Sequence, residues 1–347
     1  MNTNIKKILE LGVMLSPMPE AYTIWEGWVH ELEQALASPP EPTLGVKNAQ
    51  RKWELVSAYQ KTVRRGDLAL ALRLVSAMAS LPDECQYMWR RVCTTAAEDI
   101  GAGNPLAMKF VLACAQVYTP SQLQGRMSLA VWTVLTRIMC FSPKSRLYCQ
   151  FSIMENALKS KDMEYKVFDQ TPYGQRMAET LNTDLQTIEH TDETRWLLKA
   201  NWRAEGMAVG PIFSRLHKVI LKTVGDDLTG FQTLKGLPEY CYDMHTRVGK
   251  GSLYKACGVL AVSQFFHQNP VKSKPEALGW ALFFEEGGKI EHRWGNARVD
   301  AFEQQVVAER HGLGLEQWLE FRTVVQTMLS TGRFTEIRDG VLRQQEY

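Results

Sequence analysis

Reactive side chains crowd one short stretch, Asp243-Met244-His245-Thr246-Arg247-Val248-Gly249-Lys250-Gly251. A carboxylate and an imidazole two positions apart, with a lysine nearby, can share acid–base work or hold a metal ion. About forty residues on, Glu285-Glu286-Gly287-Gly288 and Glu291-His292-Arg293-Trp294 add carboxylates and a second imidazole. An enzyme built from this chain would draw its site from Asp243, His245, Lys250, Glu285 and His292. The commoner reading is structural: Asp243 caps a turn or pairs with Arg247, and His245 packs against a neighbour. A third is a binding surface for phosphate or an acidic peptide. Asp-x-His places its side chains on one side of a strand but on different sides of a helix, so the underlying element decides.

Two groups of cations invite a second kind of chemistry. Lys61, Arg64 and Arg65 share a helix end with no acid until Asp67. There they complement the helix dipole or meet phosphates. Arg195, Lys199 and Arg203 recur at i, i+4, i+8, with Trp196 and Trp202 between them. Aromatics interleaved with cations suit single-stranded nucleic acid, where stacking and charge neutralisation combine. The competing reading is a solvated basic face with both tryptophans in the core.

The common cofactor motifs are missing from these residues. The nearest approach to a phosphate-binding loop is Arg247–Ser252, but its serine falls one residue late and no strand precedes it. There is no Gly-x-Ser-x-Gly, His-Glu-x-x-His, dinucleotide fingerprint or EF-hand loop. The seven cysteines include no Cys-x-x-Cys pair and mostly lie in apolar, helix-like stretches. The expectation is therefore no cofactor, no metal, and thiols kept reduced in a cytoplasmic setting.

Composition sets the frame for these groups. The chain has 347 residues, 40 Lys+Arg against 38 Asp+Glu, 45% apolar and 22% charged residues. These values exclude intrinsic disorder, collagen and coiled-coil rods. A net charge of +2 makes no global field, so any nucleic-acid binding must come from a local patch. Apolar runs such as Ala113–Val117 fall far short of the ~20 residues of a membrane span, so no membrane partner is expected. The N-terminal apolar stretch is interrupted by Glu10 and reads as mature sequence rather than a signal peptide.

The elements that position these residues are helical. Leu68, Ala71, Leu72, Val75 and Met78 form one stripe, and Cys85, Met88, Trp89, Val92 and Ala96 another. Leu106, Phe110, Ala113 and Val117 form a third, and Leu123, Met127, Ala130 and Val134 a fourth. Trp89 is thereby predicted to be buried. Asn104-Pro105, Thr119-Pro120, Ser142-Pro143 and Thr171-Pro172 set a capping side chain before a proline. Gly66, Gly101 and Gly103 sit where helices should stop. Further helices are expected over Glu20–Ala37, Glu193–Met207, Pro211–Val224, Ser252–His267, Ala301–Arg310, Leu315–Ser330 and Thr335–Glu346. The apolar run Phe283-Phe284 before Gly287-Gly288 fits either a small hairpin or a helix end. The fold class is mainly α and multi-helical. Breaks in composition divide the chain into an N-terminal helix with a Pro-rich linker (1–46), a helical domain (47–165) and a second mainly helical domain (166–347).

The order of pieces from Ser57 to Ala107 is distinctive. Ser57-Ala58 and Lys61-Thr62-Val63-Arg64 are followed by Arg90-Arg91, Glu98-Asp99-Ile100-Gly101 and Pro105-Leu106-Ala107. This resembles the region after the ATPase core in clamp-loader-like AAA+ proteins of the RarA/MgsA family, over about Lys47–Tyr118. In that family the region is a helical collar that assembles subunits, and the proteins serve replication-associated recombination. The family's ATPase module would precede this region, yet only 46 residues do, and its Walker and sensor residues have no counterpart here. The resemblance therefore implies a collar-type oligomerisation or docking domain without a motor, and DNA or DNA-bound replication proteins as partners. A homo-oligomer or a complex with an AAA+ partner follows, with small adaptors of phages and mobile elements as precedents. The alternatives are the dispersed enzyme site above and a DNA- or partner-binding regulator. Within the motif, Glu98 and Asp99 oppose the helix dipole, and Arg90 and Arg91 are the expected ion partners.

Overall fold

The computed structural model describes residues 3–15, 19–40, 52–79, 85–118, 126–146, 237–289 and 297–345. Every regular element among them is helical, in keeping with the mainly α expectation. The helices are α1 (Thr3–Leu15), α2 (Pro19–Ala37), α3 (Lys52–Arg65), α4 (Leu68–Ala79), α5 (Cys85–Thr95), α6 (Pro105–Val117) and α7 (Arg126–Phe141). From residue 237 onward come α8 (Arg247–Ala256), α9 (Leu260–Gln268), α10 (Lys274–Leu282), α11 (Ala297–Arg310), α12 (Leu315–Ser330) and α13 (Arg333–Gln345). The Glu193–Val224 helices, with Arg195, Lys199 and Arg203, lie outside the described residues, as does His292.

Two compact units result, and they are not consecutive blocks. Among the described residues the first unit holds 3–15, 19–40, 62–79, 85–118, 126–146 and 297–299. The second holds 52–61, 237–289 and 300–345. One boundary falls inside α3, between Lys61 and Thr62. The composition breaks at 46 and 165 lie outside the described residues.

In the first unit, α1 and α2 are part of the core. Trp25 is fully buried, donates its indole N–H to the Ile8 carbonyl at 3.1 Å, and meets Phe110 of α6 edge-on at 5.1 Å. Gly12 lies under that indole, where a Cβ would come within 2.6 Å of Trp25 Nε1. Trp89 of α5 is buried as its stripe predicts and packs edge-to-face on Trp132 of α7 at 5.6 Å. Helix α5 runs on into a π turn, Ala96–Ile100, which ends where Gly101 takes a positive φ of 38°. Asn104 then caps α6, its side chain accepting from the Ala107 N–H at 3.0 Å, with Pro105 at the first helical position.

In the second unit, Phe265 and Phe266 of α9 pack on Phe321 of α12, beside fully buried Trp318. Val341 of α13 joins Val248 and Tyr242. The single helix expected over Ser252–His267 breaks at Cys257–Val259 into α8 and α9. The Phe283–Gly287 run is a helix end: α10 continues into a second π turn there.

Candidate functional site

The reactive stretch at Asp243 folds as a turn that launches α8. Thr246 is the N-cap, its hydroxyl accepting from the Gly249 N–H and donating to the Asp243 carbonyl, both at 2.9 Å. Gly249 is obligatory in this geometry, because a Cβ there would stand 1.7 Å from the Asp243 carbonyl oxygen. The Asp243 carboxylate accepts the His245 N–H at 3.0 Å and the Ser57 hydroxyl at 3.3 Å. Its partner is Lys61, with Nζ at 2.6 Å from Oδ2 and both side chains largely buried. Arg247, the partner expected from sequence, is exposed instead. Burial pushes the Asp243 carboxyl up, but the Lys61 ammonium, His245 and the hydrogen bonds they donate outweigh it, and it titrates below its ordinary value.

The two π turns share a pattern that the sequence conceals. Each carries consecutive acids at its third and fourth residues, Glu98-Asp99 in one and Glu285-Glu286 in the other. π turns widen a helix and often mark functional or strained positions. Here they aim carboxylates at arginines. Glu285 accepts from Arg322 Nε at 2.7 Å and from Gln326 at 2.8 Å. Glu286 accepts from Arg338 at 2.7 Å, and Arg338 also donates to the Tyr242 carbonyl. Asp99, fully buried, accepts from Arg64 Nε at 2.6 Å. Arg90 and Arg91 are the partners expected for the Glu98–Asp99 pair; Arg64, from α3, is a partner of Asp99 that the sequence does not suggest.

A buried lysine completes the first unit's junction. Lys144 has no exposed surface, and its ammonium donates to the carbonyls of Cys140, at 2.8 Å, and Ser142 at the end of α7. Desolvation lowers its pKa, against the opposing pull of Cys140 and Asp99. The Ser145 N–H donates to the Asp99 carbonyl at 2.8 Å. Gly103 lies against the Pro143–Lys144 backbone, leaving no room for a Cβ. Asn104 Nδ2 donates to the Ser142 hydroxyl at 3.0 Å. Thus Asp99, Gly103, Asn104 and Lys144 form one interlocked corner.

The predicted site residues are distributed as follows. Asp243 and Glu285 are each neutralised, by Lys61 and Arg322 respectively, while His245 and Lys250 are exposed. The cleft beside Asp243, lined also by Glu286 and Arg338, has about 10 Å³ of free volume, no more than one water. No group of three or more metal-ligating side chains occurs among the described residues. Lys61 and Arg64, read from sequence as phosphate contacts, are 4% and 3% exposed and held in ion pairs. Their cations serve the fold, which leaves Arg65, half-buried, from that group. Cys93 and Cys140 are free thiols pushed up to about 12 by burial, which suits core cysteines rather than reactive ones. What sequence reasoning missed is an acid-free run, Met244–Pro275, whose signal is simple charge counting.

Comparison with known proteins adds one partial relative. Over 70 residues the chain is 31% identical to an uncharacterized AAA domain-containing protein of Mycobacterium tuberculosis. The match covers 20% of this chain and 16% of that protein. No protein-family description matches the chain, and no solved structure matches it. The similarity to an AAA domain-containing protein is thus local. No described helix is long and apolar enough to cross a membrane.

Proposed function

We propose that this chain is a non-catalytic accessory of DNA replication or recombination that self-assembles, or docks on AAA+ machinery, through its first unit. One observation carries the reading. Residues of the family-like motif, Arg64, Asp99, Gly101, Asn104 and Pro105, build the interlocked corner of a compact helical unit. A buried ion pair is weak evidence for stability, since hydrophobic replacements often do as well, but it does fix a particular geometry. A corner of fixed geometry is what an assembly domain needs to present a reproducible surface. The local similarity to an AAA domain-containing protein supports the same reading.

The test is light scattering coupled to size exclusion, with the chain alone and with a RarA/MgsA-family ATPase. The expected result is a defined homo-oligomer or a stoichiometric complex. A chain that stays monomeric, leaves the ATPase's mass unchanged and does not alter its turnover refutes the proposal.

A further inference from the structure

Two groups of cations in the second unit contrast. Arg310, Arg322, Arg333 and Arg338 are paired with Glu276, Glu285, Glu336 and Glu286. From Met244 to Pro275, by contrast, the chain holds no acid and five cations, Arg247, Lys250, Lys255, Lys272 and Lys274, every one exposed. Lys255 donates to Gln344, and Lys274 lies over the Phe266 ring. Arg247 and Lys250 make no ion pair or side-chain hydrogen bond among the described residues.

Helix geometry groups these two with an aromatic ring. At 100° per residue, Lys250, Tyr254 and Arg247 fall within about 60° of one another on α8. The opposite side, Val248, Ser252, Leu253 and Ala256, is buried. Tyr254 is 72% exposed, so its ring faces solvent on the same side of α8 as the two cations, about one turn beyond Lys250. Cations three positions apart on a helix with no acid beside them repel one another, and a bound anion relieves that repulsion.

We infer that the Arg247–Lys250–Tyr254 face of α8 binds single-stranded nucleic acid. The cations neutralise successive phosphates, and Tyr254 stacks on an unpaired base, which a duplex does not offer. The inference rests on the proposed DNA-associated role and moves the nucleic-acid contact from Lys61 and Arg64, which are buried, to a face that is open.

The experiment is fluorescence anisotropy of the full chain with a labelled oligo(dT) of about 30 nucleotides, longer than the ~4–16 one binding site covers. Binding should weaken steeply with salt. Arg247→Ala with Lys250→Ala should flatten the log–log salt slope by about 0.7 per lost contact. Tyr254→Ala should weaken binding roughly 5-fold or more while Tyr254→Phe keeps it, as stacking requires. Arg333→Ala, a cation already matched by Glu336, should change neither affinity nor slope. All four positions are exposed, so melting temperatures should stay at the wild-type value.

Three results overturn the inference: no binding of the oligonucleotide at low salt, equal affinity and slope in the α8 variants, or displacement by phosphatidylserine vesicles in preference to a DNA competitor. Oligonucleotide binding through α8 by a chain that neither self-associates nor engages the ATPase refutes the docking proposal alone. Assembly without oligonucleotide binding refutes this inference alone.

Discussion

Arg64 Nε stands 2.6 Å from Asp99 Oδ1, with the two side chains 4% and 0% exposed. The pair joins the end of α3 to the π turn after α5, across 35 positions of sequence. Breaking a buried pair leaves one charge without a partner, at a cost of about 3–5 kcal/mol, whereas removing both charges is often neutral. Asp99→Ala alone should therefore destabilise by that amount, and the double variant Arg64→Met/Asp99→Leu by much less. Urea unfolding of the singles and the double measures the coupling. A double variant as unstable as the sum of the singles would show that the two charges act separately.

Trp89 is the matching apolar test. It is fully buried and edge-on to Trp132. Truncation to Ala costs about 3–5 kcal/mol, a large part of the ~5–15 kcal/mol that holds a domain together. Trp89→Ala should lower the melting temperature sharply and dissolve any oligomer that the first unit supports. Arg73→Ala, on an exposed position of α4, should remain within ~0.5 kcal/mol of wild type.

What was legible in the sequence was local, and what was hidden was long-range. The stripe through Trp89, the Asn104-Pro105 cap and the Gly66 and Gly101 stops all depend on residues a few positions apart, and each appears where the pattern puts it. Ion partners do not obey that range. Arg90 and Arg91 are the near-sequence candidates for the Glu98–Asp99 pair, whereas Arg64, which pairs with Asp99, stands 35 positions away. Lys61 pairs with Asp243, 182 positions away, while adjacent Arg247 is left in solvent. Asp243 belongs to the turn that starts α8, as the capping reading has it, and it is the distant partner Lys61 that its neighbours do not announce.

That turn makes a graded series possible. Thr246→Ala removes the N-cap of α8 and should cost about 0.5–2 kcal/mol. Lys61→Met leaves the Asp243 carboxylate buried and unpaired, and should cost about 3–5 kcal/mol. Gly249→Ala forces a Cβ to 1.7 Å from a backbone oxygen, which no rotamer relieves, so the turn must open. Its cost should exceed the ~1–3 kcal/mol of ordinary overpacking. Chemical denaturation ranks the three, and a Gly249→Ala protein as stable as the Thr246→Ala one would show that the turn is built differently.

His311 gives the chain a pH dependence of definite sign. Its Nδ1 donates to the Lys272 carbonyl at 3.1 Å, and the Lys272 N–H returns a bond to the His311 carbonyl at 2.9 Å. The ring lies nearly parallel to that of Trp318, with centroids 6.5 Å apart, and Nε2 is buried with no hydrogen-bond partner among the described residues. Desolvation lowers the His311 pKa; the Lys272 carbonyl and Glu276 pull the other way, and Arg310 adds to the lowering. The unfolded chain therefore takes up this proton first as pH falls. Stability is retained above about pH 6.5, the unperturbed histidine value, and declines from there down to the folded-state pKa. The slope cannot exceed about 1.4 kcal/mol per pH unit for one proton. His311→Asn keeps a side-chain N–H for the Lys272 carbonyl but does not titrate. Denaturation midpoints from pH 7.5 to 5 should fall in wild type and fall less in His311→Asn. Parallel curves for the two proteins would assign the acid sensitivity to another group.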